Sequence, residues 1–436
     1  MAEQQTTQRM VEQLNRALSG AGTRSGTPTR WERNRSHNLL AGVMLNAFAR
    51  QSRRAALTGL EHALVQGFKK VGFTDEDLSA LGSAYAQAPL EARSRLFPER
   101  AARLGVETGF STDDLRAELK AMAPQVVQMK NLQVLDQRHL AFSGLSDAEL
   151  QRKRTELGIQ EDLSQARPPP PGEEFLQAQR ELGWSVSCVG ITAAELAAAR
   201  GASLGWVTAR ATTVYCHEGT HEVGNDEPFF GFAVCDGITG TKYVSEELSM
   251  DEGDERTFRS NTLWNNNVPG GGLCFTIDAW EADHSNQYDK EIAVLTEILR
   301  VLIDQLTIDS WADMAQVLIE TGMGTGIPAE IIALFAAVIA AIIGFLKNED
   351  DYIGTYAAYV PNAAMISRKE LFQLIQGKSI SEATQILMNH LNIDYMGAML
   401  IAMVLLMEGS SLGLSVPMDA RSDNHGFYEV YLRVNI

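Results

Sequence analysis

The stretch HEGTHEVGNDEPFF, residues 217–230, contains two histidines and a glutamate in the spacing His217-Glu218-x-x-His221. On a helix, residues four positions apart lie on one face, so both imidazoles could bind one zinc ion while Glu218 acts as a general base. The spacing therefore indicates one candidate function, a zinc metallopeptidase with zinc as its cofactor.

The residues around this motif favour a strand instead of a helix. Thr212, Thr213 and Val214 precede it, and Gly219 lies inside it. A glycine costs about 1 kcal/mol relative to alanine in a helix. On a strand the Cα atoms of the two histidines would lie about 13 Å apart, too far for one tetrahedral zinc. We therefore expect a strand that continues into a polar loop, and the peptidase stays an alternative.

A second set of residues suited to chemistry is acidic. The apolar run GLCFTIDAWEAD (272–283) carries Asp278, Glu281 and Asp283, and Asp350 and Asp351 follow a later apolar segment. Calcium takes six to eight oxygen ligands, several of them carboxylates on loops. These five carboxylates would bind calcium if their segments lie at one end of a sheet. The alternative is a solvated acidic surface that binds no ion.

The two acidic segments, Asp278-Ala-Trp280-Glu281-Ala-Asp283 and Glu349-Asp350-Asp351-Tyr-Ile-Gly354, resemble those of C2-like β-sandwiches. Together with GNDEPFF they are similar to a loosely characterised group of bacterial proteins that contain this sandwich. The resemblance covers the C-terminal half of the chain. It implies an antiparallel sandwich whose loops bind calcium, interrupted here by a long insertion between the two segments.

The elements that would position these residues are strands in the second half of the chain. Alternation and β-branched or aromatic residues predict strands over 206–216, 229–237, 272–283 and 425–436. In the last strand one face is predicted to carry Phe427, Glu429, Tyr431 and Arg433, and the other Tyr428, Val430, Leu432 and Val434.

The first half of the chain has a helical composition. A short pattern recurs in it: Gly, an apolar residue, Ser or Thr, two variable residues, an acid and Leu. This pattern predicts a helix end followed by a capping box; an array of repeats is the alternative interpretation. The basic segment 30–70 predicts an exposed cationic helix or, alternatively, a membrane-binding surface. The recurring motifs are GFTDEDL (72–78), GFSTDDL (109–115), GLSDAEL (144–150) and GITAAEL (190–196).

Four consecutive prolines in ARPPPPGEE predict a stiff linker over 166–174. The predicted fold is α+β and multidomain: an all-α region, then a C2-like antiparallel β-sandwich with a helical insert. The helices of the insert are predicted over 289–306, 309–321 and 328–347, and the last is apolar enough to pack in a core or to enter lipid. The predicted boundaries are 1–165 for the helical domain, 175–204 for a connecting helix, 205–436 for the sandwich and about 289–347 for the insert.

The charge and the cysteines of the chain argue against some functions. The net charge is −18, and residues 201–436 carry 12 basic against 32 acidic residues, which argues against nucleic-acid binding. The four cysteines form no C-x-x-C pair, so we expect buried free thiols. The first residues lack the apolar core of a signal peptide. We therefore expect synthesis in the cytoplasm, and any export would use a non-classical route.

Together these features predict a non-enzymatic protein of the effector or toxin type. It would act through a membrane or a protein partner, with calcium as the expected cofactor. The basic helix, the acidic loops and the apolar insert motivate this prediction. The alternatives are the zinc metallopeptidase and a structural or interaction protein that binds no ion. The sequence does not specify the oligomeric state.

Overall fold

The computed structural model describes twelve stretches of the chain and four further residues. All structural statements below concern these residues. They are 2–20, 28–126, 128–135, 171–191, 204–219, 226–236, 239–259, 261–268, 272–281, 288–305, 352–421 and 426–436, with 151, 152, 155 and 195.

The described helices fall into an N-terminal group, a connecting helix, one helix of the predicted insert and a C-terminal group. They are α1 (Ala2–Ser19), α2 (Arg30–Arg33), α3 (Leu39–Ser52), α4 (Gly59–Lys70), α5 (Asp75–Gln87), α6 (Leu90–Leu96), α7 (Glu99–Ala102), α8 (Thr112–Val126), α9 (Glu173–Leu182), α10 (Tyr288–Gln305), α11 (Asn362–Ile375), α12 (Ile380–Leu391) and α13 (Tyr395–Glu408).

The described strands form two sheets. One has six strands in the order β1-β2-β9-β8-β4-β5, and the other has five, with β10-β11-β3-β6 in a row and β7 also paired with β3. The strands are β1 (Leu132–Leu135), β2 (Trp184–Val189), β3 (Trp206–Glu218), β4 (Pro228–Cys235), β5 (Gly240–Val244), β6 (Glu255–Thr257), β7 (Thr262–Asn267), β8 (Gly272–Glu281), β9 (Tyr352–Pro361), β10 (Leu412–Asp419) and β11 (Phe427–Asn435).

The two sheets share one apolar core, and the N-terminal helices share another with the opposite face of the six-stranded sheet. In β8, for example, Phe275 and Ile277 face the five-stranded sheet, while Cys274 and Trp280 face the helices. The four central strands of the six-stranded sheet, β2, β9, β8 and β4, are thus buried on both faces, which explains why they lack an alternation of apolar and polar residues. In the five-stranded sheet, apolar residues that face the core alternate along β3 and β11 with mostly polar residues that face outward.

The mixed α+β class and the N-terminal helical region agree with the sequence prediction, but several details of the sheet and of the segments leading into it differ. The pairs β1–β2 and β2–β9 are parallel, so the six-stranded sheet is not wholly antiparallel. Strands β1 and β2 also lie in segments for which the sequence predicts helix. The predicted connecting helix over 175–204 ends at Leu182, and Gly183 then turns the chain with a positive φ into β2.

Strand β9 was also missed by sequence reasoning. The sequence predicts that Tyr352 to Gly354 belong to an acidic loop, but they begin this strand in the middle of the six-stranded sheet. Its sequence YIGTYAAYVP mixes glycine, threonine and alanine with aromatic residues and has no clear alternation. Because both faces of the strand are buried, no alternation is required.

The basic segment 30–70 does not form the exposed cationic helix that the sequence predicts. Its central helix α3 is buried from Leu39 to Arg50, at the centre of the helical layer. Arg50 lies inside this layer because Glu61 accepts from its Nε at 3.2 Å. The charge pattern was misleading since the arginines are concentrated outside the apolar run LLAGVMLNAF, which is apolar on every side.

Two of the four predicted helix caps are confirmed, at Thr74 and Ser111; the motif at 190–196 instead begins at Gly190 directly after strand β2. Thr74 and Asp77 form a capping box at the start of α5, preceded by Gly72 with φ +97°. Ser111 and Asp114 make the same reciprocal hydrogen bonds at the start of α8. The motif at 144–150 lies outside the described residues. These bonds give the pattern a local cause, because each satisfies the free N–H groups of one helix start.

The predicted insert contributes one helix to the helical layer. Helix α10 packs against α4 and against β4 and β5. Lys70 Nζ of α4 lies 2.9 Å from Glu297 of α10, which joins the two helices by an ion pair. The other two predicted helices, 309–321 and 328–347, lie outside the described residues, as do residues 166–170 of the proline-rich linker.

Candidate functional site

His217 and Glu218 lie at the end of β3, so the helical arrangement that a zinc peptidase needs is absent at these two residues. Neighbouring strand residues point to opposite faces, and their side chains have different partners. His217 Nε2 lies 2.9 Å from Glu429 Oε2, whereas Glu218 accepts from Arg421 Nη1 at 3.3 Å. His221 lies outside the described residues.

The residues predicted to bind calcium are not assembled within the described part of the chain. Asp278 is buried inside β8, where Thr355 Oγ1 donates to it, and Tyr352 OH donates in turn to Thr355. Glu281 is the last residue of β8. Asp283, Asp350 and Asp351 lie outside the described residues. Among the residues that the structure describes, no three His, Cys, Asp or Glu side chains are grouped closely enough to hold a metal ion.

The four cysteines are buried and free, as the sequence predicts. Cys235 and Cys274 are directly opposite on β4 and β8, and burial is the main cause that raises the pKa of Cys274 far above its usual value. Burial likewise raises the pKa of Cys188. The thiols of Cys188 and Cys274 therefore stay protonated and behave as apolar core residues.

Outward-facing side chains of the five-stranded sheet form a hydrogen-bonded polar cluster at the protein surface. Glu429 on β11 is its centre. Its carboxylate contacts His217 of β3, accepts from Ser415 Oγ of β10, and accepts from Tyr431 OH at 2.9 Å. The imidazole of His217 stacks on Phe427, with ring centroids 4.5 Å apart. We call these five residues the His217 cluster.

The electrostatics of the His217 cluster keep its carboxylate charged. Burial by itself would raise the pKa of Glu429. The hydrogen bonds from His217 and Ser415, with smaller effects from the charge of His217 and the hydroxyl of Tyr431, outweigh burial and lower the pKa of Glu429 below its ordinary value. Glu429 is therefore a fixed negative charge that holds the imidazole of His217 in one orientation.

This arrangement does not match nucleophilic catalysis. In a serine hydrolase the serine contacts the histidine, and the acid lies on the other side of the imidazole. Here the carboxylate of Glu429 is between Ser415 and His217, so the imidazole is not placed to accept the proton of the hydroxyl. The cluster instead presents a fixed aromatic and hydrogen-bonding surface.

The rest of β3 continues this surface along the sheet. Its inward side chains, such as Val207 and Ala209, belong to the core between the sheets, while Trp206, Thr208 and Arg210 point outward. Trp206 is 59% exposed. Sequence reasoning recognised the strand but not this residue. The alternation WVTARA would have placed Trp206 on the polar face, where an exposed indole is unusual.

We define the outer sheet face by its outward residues on β3 and their neighbours on the adjacent strands. It extends from Trp206 at one end to the His217 cluster at the other. The tertiary structure adds Asn265 and Asn267 of β7 beside Trp206. The members are Trp206, Thr208, Arg210, Tyr215, His217, Asn265, Asn267, Ser415, Phe427, Glu429 and Tyr431.

An open groove of 570 Å³ lies in the helical layer, between the start of α7 and the loop before α8. Its charged groups neutralise one another. Arg100 pairs with Asp114 and Glu118, and Arg103 pairs with Glu99. These paired groups therefore leave no unbalanced charge in the groove for a ligand to bind. The outer sheet face is the stronger candidate site.

Within the described residues, no individual helix has both the length and the apolar character needed to cross a bilayer. Helices α12 and α13 meet these criteria only as a pair, and they are bent by 119° at the break between them. Comparison with known proteins found no matching family model, curated protein or solved structure.

Proposed function

We propose that this protein is a non-enzymatic binding protein that contacts a protein partner through the outer sheet face. The main support is the combination on one sheet face of an exposed indole at Trp206, an exposed cation at Arg210 and the His217 cluster. Aromatic residues and arginine are the side chains that contribute most to protein interfaces.

The fixed geometry of the His217 cluster also favours binding. Side chains that are already held by hydrogen bonds and stacking lose less conformational freedom when a partner binds. His217 is held by Glu429 on one side and stacked on Phe427 on the other. Arg421 lies over the same phenylalanine ring at 5.0 Å, and it is anchored by Asp419.

The proposal is tested with a variant that removes the outward contacts without touching Trp206. Arg210→Ser, Tyr215→Ser and His217→Ser are combined, and immobilised wild type and variant are compared for proteins retained from cell extracts by quantitative mass spectrometry. We expect the variant to lose the partner that the wild type retains. The matched control combines Arg53→Ser, His62→Ser and Leu90→Ser, three exposed residues of the helical layer.

The single charge reversal Arg210→Glu shows whether lost capture by the triple variant comes from misfolding. It should fold normally, because this exposed side chain makes no ion pair in the described structure. We expect it to weaken capture while leaving the melting temperature unchanged. If the triple variant and Arg210→Glu both retain the same proteins as the wild type, the outer sheet face is not the contact surface.

A membrane partner is the second candidate, because of the turn between α12 and α13. Tyr395 and Met396 at this turn are 54% and 52% exposed, although the rest of α13 is mostly buried. Exposed tyrosine beside apolar residues is typical of segments that contact the membrane interface. The bent pair α12–α13 would then dip into the interface without crossing it.

Vesicle flotation tests this second candidate. Vesicles of phosphatidylcholine with phosphatidylserine are mixed with the full chain, in calcium and in a chelator. We expect wild type to float and the double variant Tyr395→Ser, Met396→Ser to stay at the bottom of the gradient. Leu374→Ser, which removes an exposed leucine elsewhere in the C-terminal helices, is the control. Absence of flotation of the wild type under both conditions would eliminate membrane binding.

Several sequence predictions stay predictions. They are the effector or toxin role, the C2-like character of the sandwich, and calcium binding, which the flotation comparison also tests. The zinc metallopeptidase alternative predicts bound zinc after purification without chelators and proteolysis that Glu218→Gln abolishes. Because Glu218 is paired with Arg421 at the end of a strand, we expect neither result.

A further inference from the structure

Trp206 is the most exposed of the large apolar side chains that are exposed in the described part of the chain. Its ring is nevertheless held in place, because the indole Nε1 donates to Asn265 Oδ1 at 2.6 Å. A mobile exposed tryptophan would lose conformational freedom on binding a ligand, whereas this ring has already lost much of it. A fixed aromatic ring with an open surface is suited to stacking.

The side chains around Trp206 are neutral and polar. Asn267 is directly opposite Trp206 in the register of β3 and β7, and Asn265 is opposite Thr208. Thr208 Oγ1 donates to the same Asn265 Oδ1, at 3.2 Å. This leaves the amide nitrogen of Asn265 and the whole amide group of Asn267 without a hydrogen-bond partner within the described residues. Both amides are exposed and can bind a ligand.

The chemistry of this surface matches a sugar better than other ligands. The C–H groups on one face of a pyranose ring carry a partial positive charge and are attracted to the negative face of an aromatic ring. Sugar hydroxyls both donate and accept hydrogen bonds, as the amides of Asn265 and Asn267 do. An apolar partner would instead require apolar neighbours around Trp206, and its neighbours on the two strands are Thr208 and asparagines.

Charge argues against anionic ligands. Residues 201–436 carry 12 basic against 32 acidic residues, so nucleic acids and sulfated or phosphorylated chains would be repelled. Arg210 is the only lysine or arginine on the outward face of β3. We propose that Trp206, Thr208, Asn265 and Asn267 form a binding site for a pyranose unit of a neutral glycan. This inference rests on the proposed binding function and assigns a glycan to the Trp206 end of the outer sheet face.

Native affinity electrophoresis of the full chain tests this inference. The gels contain hydroxyethyl cellulose, galactomannan, xylan or mannan, with dextran sulfate as the anionic comparison. We expect at least one neutral polysaccharide to retard the wild type and to change its tryptophan fluorescence. Trp206→Ala should weaken this binding at least about tenfold, as loss of a central aromatic contact typically does. Trp206→Tyr should retain part of it, and Asn265→Ala should weaken it.

The control is Tyr395→Ala, which removes another exposed aromatic residue far along the chain and should bind as the wild type does. The inference is overturned if no neutral polysaccharide retards the wild type, if only dextran sulfate does, or if Trp206→Ala binds normally. Its failure is distinguishable from failure of the proposed function. Loss of a protein partner in the Arg210, Tyr215 and His217 variant, without any glycan binding, would support the function and reject the sugar site.

Discussion

Replacing Glu408 with glutamine is expected to lower the free energy of unfolding by about 3–5 kcal/mol, the usual cost of leaving a buried charge without its counter-ion. Glu408, at the end of α13, forms an ion pair with Arg433 of β11. Arg368 of α11 is only 2% exposed and interacts electrostatically with the same carboxylate. Glutamine would leave two arginine side chains close together without a negative charge.

The burial of Arg368 explains the size of this effect. Desolvation lowers the pKa of Arg368 to about 9, and the charge of Glu408 opposes that shift. Its Nε donates to Ser411 O at 3.3 Å, and its Nη2 has no hydrogen-bond partner within the described residues. The negative charge of Glu408 therefore offsets the desolvation cost of the buried Arg368 guanidinium. Removing that carboxylate exposes the full desolvation cost.

Urea denaturation of matched variants checks this expectation. Glu370→Gln, an exposed glutamate on α11, is the control and should change stability by no more than about 0.5 kcal/mol. Adding Arg368→Met to Glu408→Gln should recover part of the lost stability, because the uncompensated cation is removed. If this double variant is less stable than Glu408→Gln alone, Glu408 is not the counter-ion of Arg368.

Acidification from pH 7.5 to pH 4.5 is expected to remove about 2–3 kcal/mol of stability through His37 alone. His37 is 8% exposed and packs edge-on against Trp184, with ring centroids 5.5 Å apart. Burial lowers its pKa from 6.5 to about 4. The imidazole of His37 thus packs between the helical layer and strand β2. Beside it, Trp184 Nε1 of β2 donates to Asn34 Oδ1 of the helical layer.

The direction of the effect follows from proton binding. Above pH 6.5 His37 is neutral in both the folded and the unfolded protein, so it does not reduce the free energy of unfolding. Between pH 6.5 and pH 4 the unfolded chain binds a proton that the folded protein does not, so stability falls as the pH falls. Below pH 4 both states are protonated, and the loss reaches its full extent.

The contribution of His37 is measured by difference, because carboxylates titrate in the same range. The pH dependence of unfolding is compared for the wild type, His37→Gln and His62→Gln. His62 is exposed on α4 and serves as the control. We expect a flatter profile only for His37→Gln. A profile of His37→Gln parallel to that of the wild type would mean that His37 binds its proton equally well in both states.

The sequence alone determined those features that depend on neighbours along the chain. Alternation correctly separated the inward and outward residues of β11, from Tyr428 inside to Glu429 outside. The cap at Thr74 was predictable because its partner, Asp77, is three residues away. These patterns can be recognised without the fold, since strand and helix periodicity are properties of the backbone itself.

Only the tertiary structure decided the partners that are distant in sequence. Glu429 lies 212 positions from His217, and Asn265 lies 59 positions from Trp206. The sequence favoured a strand at His217, yet only the fold shows that its imidazole contacts Glu429 of β11. The physical reason is that the order and direction of strands are set by the packing of whole layers. A buried strand such as β9, apolar on both faces, carries no local signal of which strands it will pair with.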